Sequence, residues 1–384
     1  MTKKFMAIIL LFTVIILVTV SCSNPKDTLD HLEDLKNKEN SQNENGNEND
    51  NENKTDDESN IDENSEDIDD KEDNSIDSED EEVDIVVSGI ASPLSGIIAP
   101  EEKVNRRPVA IIIDNHPKAR WQAGLVQAEV VYEFPVEFPY TRYMAVFLIN
   151  DPQEIGPIRS SRPYFVNALL EYDPVCVRVG GSDEANAYIE RLNLADLNAT
   201  DHGGFWRVYE TGKKPPNNTY SSMEVIRKNQ KARRFRSQGN YEGFKFYEKD
   251  TNIEGKDAST VTIHYNNSNK TKYVFDEQEK VYLRYKDEKL HIDEIDDSSI
   301  LVENIIIQKA KTKIIDDKGR LSIDTIGSGE GYYITNGNAV NIKWEKQSGK
   351  SKTKYYDESG QEIKLNIGQT WIQVVKLNSN IEIR

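Results

Sequence analysis

Arg159-Ser160-Ser161-Arg162 sets two guanidinium forks around two hydroxyls within one short stretch. Guanidinium groups grip phosphate or carboxylate oxygens bidentately, and the serine hydroxyls add donors. Arg142 and Arg207, with the polar side chains of Asn115, Ser182 and Asn218, fall near the ends of predicted strands. Loops gather ligands at such strand ends in open sheets. The set reads as a site for an anion or a glycan, engaged by Arg142, Arg159, Ser160, Arg162 and Arg207. The competing reading pairs the arginines with Glu133 or Glu137 inside the fold.

Glu133 and Glu137 also suggest the carboxylate pair of a glycosidase, with His116 as a further base, although spacing alone cannot place them around Pro135. Asp114 with His116, and Asp201 with His202, each supply two ligands where a zinc site needs at least three. No metal or cofactor is therefore expected. The chain contains no P-loop, no His-Glu-x-x-His helix and no Gly-x-Ser-x-Gly elbow. Cys176, within Pro174-Val175-Cys176-Val177-Arg178, reads as a small buried residue of a strand. Trp121, Trp206, Tyr132 and Tyr140 are candidates for stacking on sugars, although most strand aromatics are core.

The elements that must position these groups follow from pattern. Arg107 to Asn115, Val130 to Phe134, Tyr143 to Ile149 and Val175 to Val179 are apolar runs that read as strands. Pro163 to Glu171 reads as a helix with proline in its first turn. Asp183 to Leu192 reads as a second helix, capped by Ser182. Alternation of strand and helix to about residue 235 predicts an α/β domain over residues 85–255. From Thr260 onward short runs rich in β-branched and aromatic residues alternate with Gly and Asn turns. They predict a smaller, mostly-β domain over residues 256–384.

The N-terminus addresses the chain. Two lysines, an apolar run from Phe5 to Val20, then Ser21 and Cys22 form a signal segment (1–22) ending at an acylation cysteine. The run is shorter than the ~20 residues that span a bilayer. Acylation of Cys22 with palmitate or another fatty acid would hold the protein on the extracytoplasmic face of a bacterial membrane. Between Asn24 and Asp84 there are 26 Asp and Glu against five Lys. Such a segment repels itself and buries little, so residues 23–84 read as a disordered tether. That tail carries the acidity of a chain whose net charge is −19, leaving residues 85–384 neutral. A neutral module has no basic stripe for nucleic acid.

Several stretches resemble the YerB-like lipoprotein family, whose biochemical function is not established. They are Arg107 to Asn115, Gln122-Ala123-Gly124-Leu125, Val131-Tyr132-Glu133, Thr141-Arg142, Ile155 to Tyr164 and Gly180-Gly181-Ser182. Gly327-Ser328-Gly329 and Gly368 to Ile372 match in the second half. The resemblance spans roughly 100–384 and implies a layered α/β sandwich for the first domain. The family pattern often carries His at the positions of Arg178 and Asn217, Pro at Trp121 and Gly at Phe138, whereas His116 matches it. Loss of two histidines favours binding over histidine-dependent catalysis.

The sequence thus predicts a lipid-anchored binding or adaptor module whose partners are the membrane and a wall glycan, teichoic chain or other anionic envelope component. A wall hydrolase or transferase using Glu133 or Glu137, with His116, is the alternative. A scaffolding role is a third. Oligomeric state stays open.

Overall fold

The computed structural model describes residues 89–384. Cys22, the signal segment and the expected tether over 23–84 lie outside the described residues. The main strands and helices, in chain order, are β1 (Val109–Asp114), β2 (Val130–Pro135), β3 (Thr141–Phe147), α1 (Pro163–Leu169), β4 (Val175–Arg178), α2 (Asp183–Arg191), β5 (Asp196–Asn198) and α3 (Met223–Ala232). There follow β6 (Thr260–Asn266), β7 (Asn269–Asp276), β8 (Val281–Lys286), β9 (Asn304–Ala310), β10 (Gly327–Thr335), β11 (Asn338–Lys346), β12 (Thr370–Lys376) and β13 (Asn380–Ile383).

One 11-stranded sheet forms the body, running β11-β10-β9-β12-β2-β3-β1-β4-β5, with Lys256–Asp257 and Lys354–Tyr356 paired on the outer edge of β11. It draws on both sides of residue 255, because β12 pairs in parallel with β2, Ile372 opposite Tyr132. A second, six-stranded sheet contains β8-β7-β6-β13.

The expected layered α/β sandwich is not what the chain builds. Among the described residues strand outweighs helix, 41% to 12%, and the fold is β-rich. The predicted helices exist, but α1 and α2 hold only 7 and 9 residues. The central strands β2, β3 and β1 pair antiparallel, without helical crossovers. Strand–helix alternation in sequence cannot reveal that a sheet is completed by strands two hundred residues away.

Both faces of the large sheet are covered, which explains why β1 reads as an unbroken apolar run. Ile111 and Ile113 face Val261, Ile263 and Tyr273 of the smaller sheet, in one core. Ala110 and Ile112 face the opposite way, in a core that includes Tyr164, Phe165 and Leu169 of α1. Period-two alternation thus feeds two cores from one strand.

Candidate functional site

The candidate residues meet where β1 ends and β3 begins. Asp114 and Arg142 are opposite one another in the β1–β3 ladder. Residues 155–162 then cross these strand ends as a belt. The Asp114 N–H donates to the Pro157 carbonyl at 2.8 Å, that of Arg159 to Ile112 at 2.8 Å, and that of Ser161 to Gly180 at 3.1 Å. The Ile158 N–H donates to Thr219 at 2.6 Å, tying the belt to the hairpin of Trp206–Arg207 and Thr219–Tyr220. Gly156 permits this approach, since a Cβ there would sit 2.6 Å from the Tyr220 ring.

The belt brings three of the four predicted arginines together. Arg162 clasps Glu137, with Nε at 2.7 Å and Nη2 at 2.5 Å from Oε1. Arg142 Nη2 lies 3.6 Å from the other Glu137 oxygen, and its Nη1 donates to the Ser160 carbonyl at 3.1 Å. Arg159 Nε lies 3.0 Å from Asp114 Oδ2, near enough for an ion pair but not aligned for a hydrogen bond. Three guanidiniums therefore share two carboxylates. The Nε atoms of Arg142 and Arg159, and the hydroxyl of Thr219 on the adjoining hairpin, are buried with no hydrogen-bond partner among the described residues. Burial, then repulsion from Arg162, pulls the Arg142 guanidinium down to about 10. Burial alone would raise the Glu137 carboxyl, but Arg142 and Arg162 overcome it and hold it below the usual range.

Glu133 occupies a different environment. It is wholly buried between the sheets. Its Oε1 accepts from Lys286 Nζ at 2.8 Å and Thr141 Oγ1 at 2.7 Å, and its Oε2 from Arg284 Nη2 at 2.6 Å and Thr271 Oγ1 at 3.0 Å. Burial opposes ionisation, yet Lys286 and Arg284 prevail and hold the carboxyl at about 2. A group so enclosed and so acidic has no proton to give at neutral pH and no path to a substrate.

Asn115, also buried, donates to Thr141 Oγ1 at 2.7 Å and so connects the strand end to this interior network. His116 caps a short 3-10 turn, its Nδ1 accepting from the Lys118 N–H at 3.0 Å, and its ring lies 4.3 Å from that of Tyr140. With Nδ1 occupied as an acceptor, the proton belongs on Nε2 in the neutral ring; burial lowers its affinity for a second one. Ser182 caps α2, accepting from the Ala185 N–H at 3.3 Å. Asn218 is buried, accepts from Arg207 Nη1 at 3.0 Å and donates to the Val208 carbonyl. Arg207 itself is exposed on the hairpin, and no contact joins it to the other three arginines among the described residues.

The two positions where the resemblance implied histidine hold carboxylates here. Arg178 binds Asp196 bidentately at 2.8 and 2.7 Å, and Asn217 Nδ2 donates to Asp114 Oδ2 at 2.6 Å. The Cys176 thiol is 1% exposed and burial pushes it well up, so it is an inert core group.

Asp114 and Asn217, which fix Arg159, entered the sequence reading only as half of a metal pair and as a departure from the family pattern; Lys286 and Arg284 were not singled out. The last two left a trace. Tyr282, Arg284 and Lys286 recur with period two, and the first of them is a core aromatic. A charge in phase with a core position needs a buried counter-charge.

A two-sheet β protein with a polar cluster across its strand ends is what the geometry defines. Its sequence matches the "Protein of unknown function (DUF3048)" N-terminal domain over residues 94–236 and the corresponding C-terminal domain over residues 261–372. The chain is 31% identical over 291 residues to "Putative lipoprotein YerB" of Bacillus subtilis, covering 74% of this chain and 86% of that one. The crystal structure of YerB protein from Bacillus subtilis superposes with a TM-score of 0.69 at 31% identity, covering 76% of this chain and 99% of that one. The chain belongs to this YerB-like family.

Proposed function

We propose that the protein is a non-enzymatic binding module, held by a lipid on Cys22 at the outer face of the cell membrane. In this reading the cluster of Arg142, Arg159 and Arg162 takes an anionic group of an envelope component, such as a teichoic phosphate or an acidic glycan. The observation that carries it is that Arg142 Nε is buried with no hydrogen-bond partner among the described residues, and that Arg159 Nε has only the misaligned Asp114 carboxylate beside it. A buried donor without an acceptor costs about 1–3 kcal/mol, which a bound oxyanion would recover. Phe138, 71% exposed beside Glu137, offers an apolar ring against which a sugar can stack. The lipid anchor rests on the Cys22 motif and on the lipoprotein name of the Bacillus relative.

The test is calorimetric titration of the module with teichoic acid and soluble wall fragments. Arg159→Ala/Arg162→Ala should fold and lose binding; undiminished affinity in that double variant would sink the reading. The hydrolase alternative has less support, because Glu133 is sealed in ion pairs and Glu137 is clamped by two arginines. Products released from peptidoglycan by the purified module, seen by mass spectrometry, would revive it.

A further inference from the structure

At the opposite end of the large sheet, the segments that follow α1, α2 and α3 converge around a cavity of about 720 Å³. That volume lies within the roughly 300–1,000 Å³ typical of small-ligand sites. A left-handed residue on the cavity wall follows each helix: Asn193 (φ 48°) and Arg234 (φ 56°) two residues after α2 and α3, and Asp173 (φ 43°) four residues after α1. The chain turns sharply there, and the half-buried side chains of Leu170, Leu192, Leu194 and Phe235 line the space without being covered.

The rim is cationic. Arg107, Arg234, Arg236 and Lys350 face a single carboxylate, Asp173. Arg107 and Arg236 both bind Asp173, at 2.8 and 2.6 Å, and Arg107 Nε also donates to its carbonyl. These two therefore more than neutralise the single carboxylate. Arg234 and Lys350 form no ion pair or side-chain hydrogen bond among the described residues. The C-terminal ends of short helices carry partial negative charge, but the effect is confined to the last turn and is screened at a surface. An excess of positive charge remains.

A second cavity of 540 Å³ shares Leu170, Asn240 and Lys350 with the first. On its wall Lys352, 9% exposed, has a buried Nζ with no hydrogen-bond partner, 3.3 Å from the centre of the Phe244 ring. Lys350 thus stands between two hollows, with an apolar strip on one side and, on the other, a mixed wall on which Glu171 and Glu242 pair with Lys346 and Lys354 while the Lys352 ammonium has no hydrogen-bond partner.

We propose that this groove binds a single-chain anionic amphiphile, its alkyl chain on the Leu170–Leu192–Leu194–Phe235 strip and its phosphate or carboxylate head at Lys350 and Arg234. The occupant follows from charge and shape together: a chain without a head leaves the cations unanswered, and an anion without a chain leaves the leucines wet. The site is separate from the arginine cluster and does not depend on it.

The test is titration of the module with dodecyl phosphate below its micellar concentration, beside dodecyl maltoside, inorganic phosphate and a polyglutamate peptide. Dodecyl phosphate should bind saturably, at least about tenfold more tightly than each of the others. Arg234→Gly/Lys350→Ala should weaken it by about fivefold to tenfold, the scale of one or two screened charges. Glycine suits the left-handed position of Arg234, so that variant keeps its fold. All of these titrations are made in the Arg159→Ala/Arg162→Ala background, which removes phosphate binding at the arginine cluster and leaves only the groove to be read. Equal binding of the maltoside, equal binding of inorganic phosphate, tighter binding of polyglutamate, or indifference to Arg234→Gly/Lys350→Ala would each overturn the proposal.

Discussion

Glu133 Oε2 and Arg284 Nη2 are 2.6 Å apart, although 151 residues separate them along the chain and neither side chain reaches solvent. Arg284 also lies 4.0 Å over the Trp371 ring. The pair fastens the central strand β2 of the large sheet to β8 of the smaller one. Removing one partner of a buried ion pair typically costs about 3–5 kcal/mol, because the other is left uncompensated. Glu133→Gln should shift the urea midpoint by a stability loss of that order. A loss under about 1 kcal/mol would mean that the two sheets hold without it.

The same carboxylate sets an acid limit. Its folded value is about 2, below its ordinary 4.5. A depressed carboxyl contributes stability that is complete above about 4.5 and fades as the pH falls from there through the folded value. Unfolding curves from pH 6 to pH 2 should therefore drop more steeply for the parent than for Glu133→Gln.

Glu303 should behave in the opposite sense. Burial pushes its carboxyl from 4.5 up to about 7, with the Gln369 N–H, at 2.5 Å from Oε2, and its own backbone N–H holding it back. The folded protein keeps that proton longer than the unfolded chain does, so stability declines as the pH rises from about 4.5 through 7. Its side chain is only partly shielded by surface area, which tempers the size of the effect. Glu303→Gln should match the parent at pH 4 and exceed it at pH 8, on the order of 1 kcal/mol. Parallel pH–stability curves would refute this.

Lys352 gives an alkaline signature. Burial draws its ammonium from 10.5 down to about 8, despite Glu171 and Glu242 nearby. Between those values the unfolded chain holds the proton that the folded one has lost, so stability rises with pH across that window. Lys352→Met keeps an unbranched stem against Phe244 and Tyr172. Its thermal stability should exceed the parent's near pH 7 and converge with it above about pH 10. A variant that melts lower at every pH would show the cation–ring contact to dominate.

Ligand binding at the arginine cluster should be only partly sensitive to salt. Arg142 is buried and Arg162 nearly so, and buried charges are screened less than exposed ones. Raising the salt from about 0.05 to 0.5 M should weaken a teichoic fragment less than it weakens dodecyl phosphate at the exposed rim of the opposite groove. The reverse order would assign the two anions to the wrong ends of the sheet.

The sequence alone determined what local pattern can carry. The runs around Ile111, Val131, Ala145 and Val177 are strands because each places apolar residues on both faces, and Ser182 caps the helix that follows it. The motif Arg159-Ser160-Ser161-Arg162 announced a polar belt, and the belt indeed crosses the strand ends beside Arg142. What tertiary structure decided was which strands become neighbours and which charges become buried. No local feature of β2 foretells its parallel partner β12, so an α/β expectation gave way to a β-rich fold. Glu133 and Glu137 looked alike four residues apart. One is sealed between two sheets by Lys286 and Arg284, the other lies half-open between Arg142 and Arg162. Burial and counter-charge depend on contacts far away along the chain, and these only the assembled sheets supply.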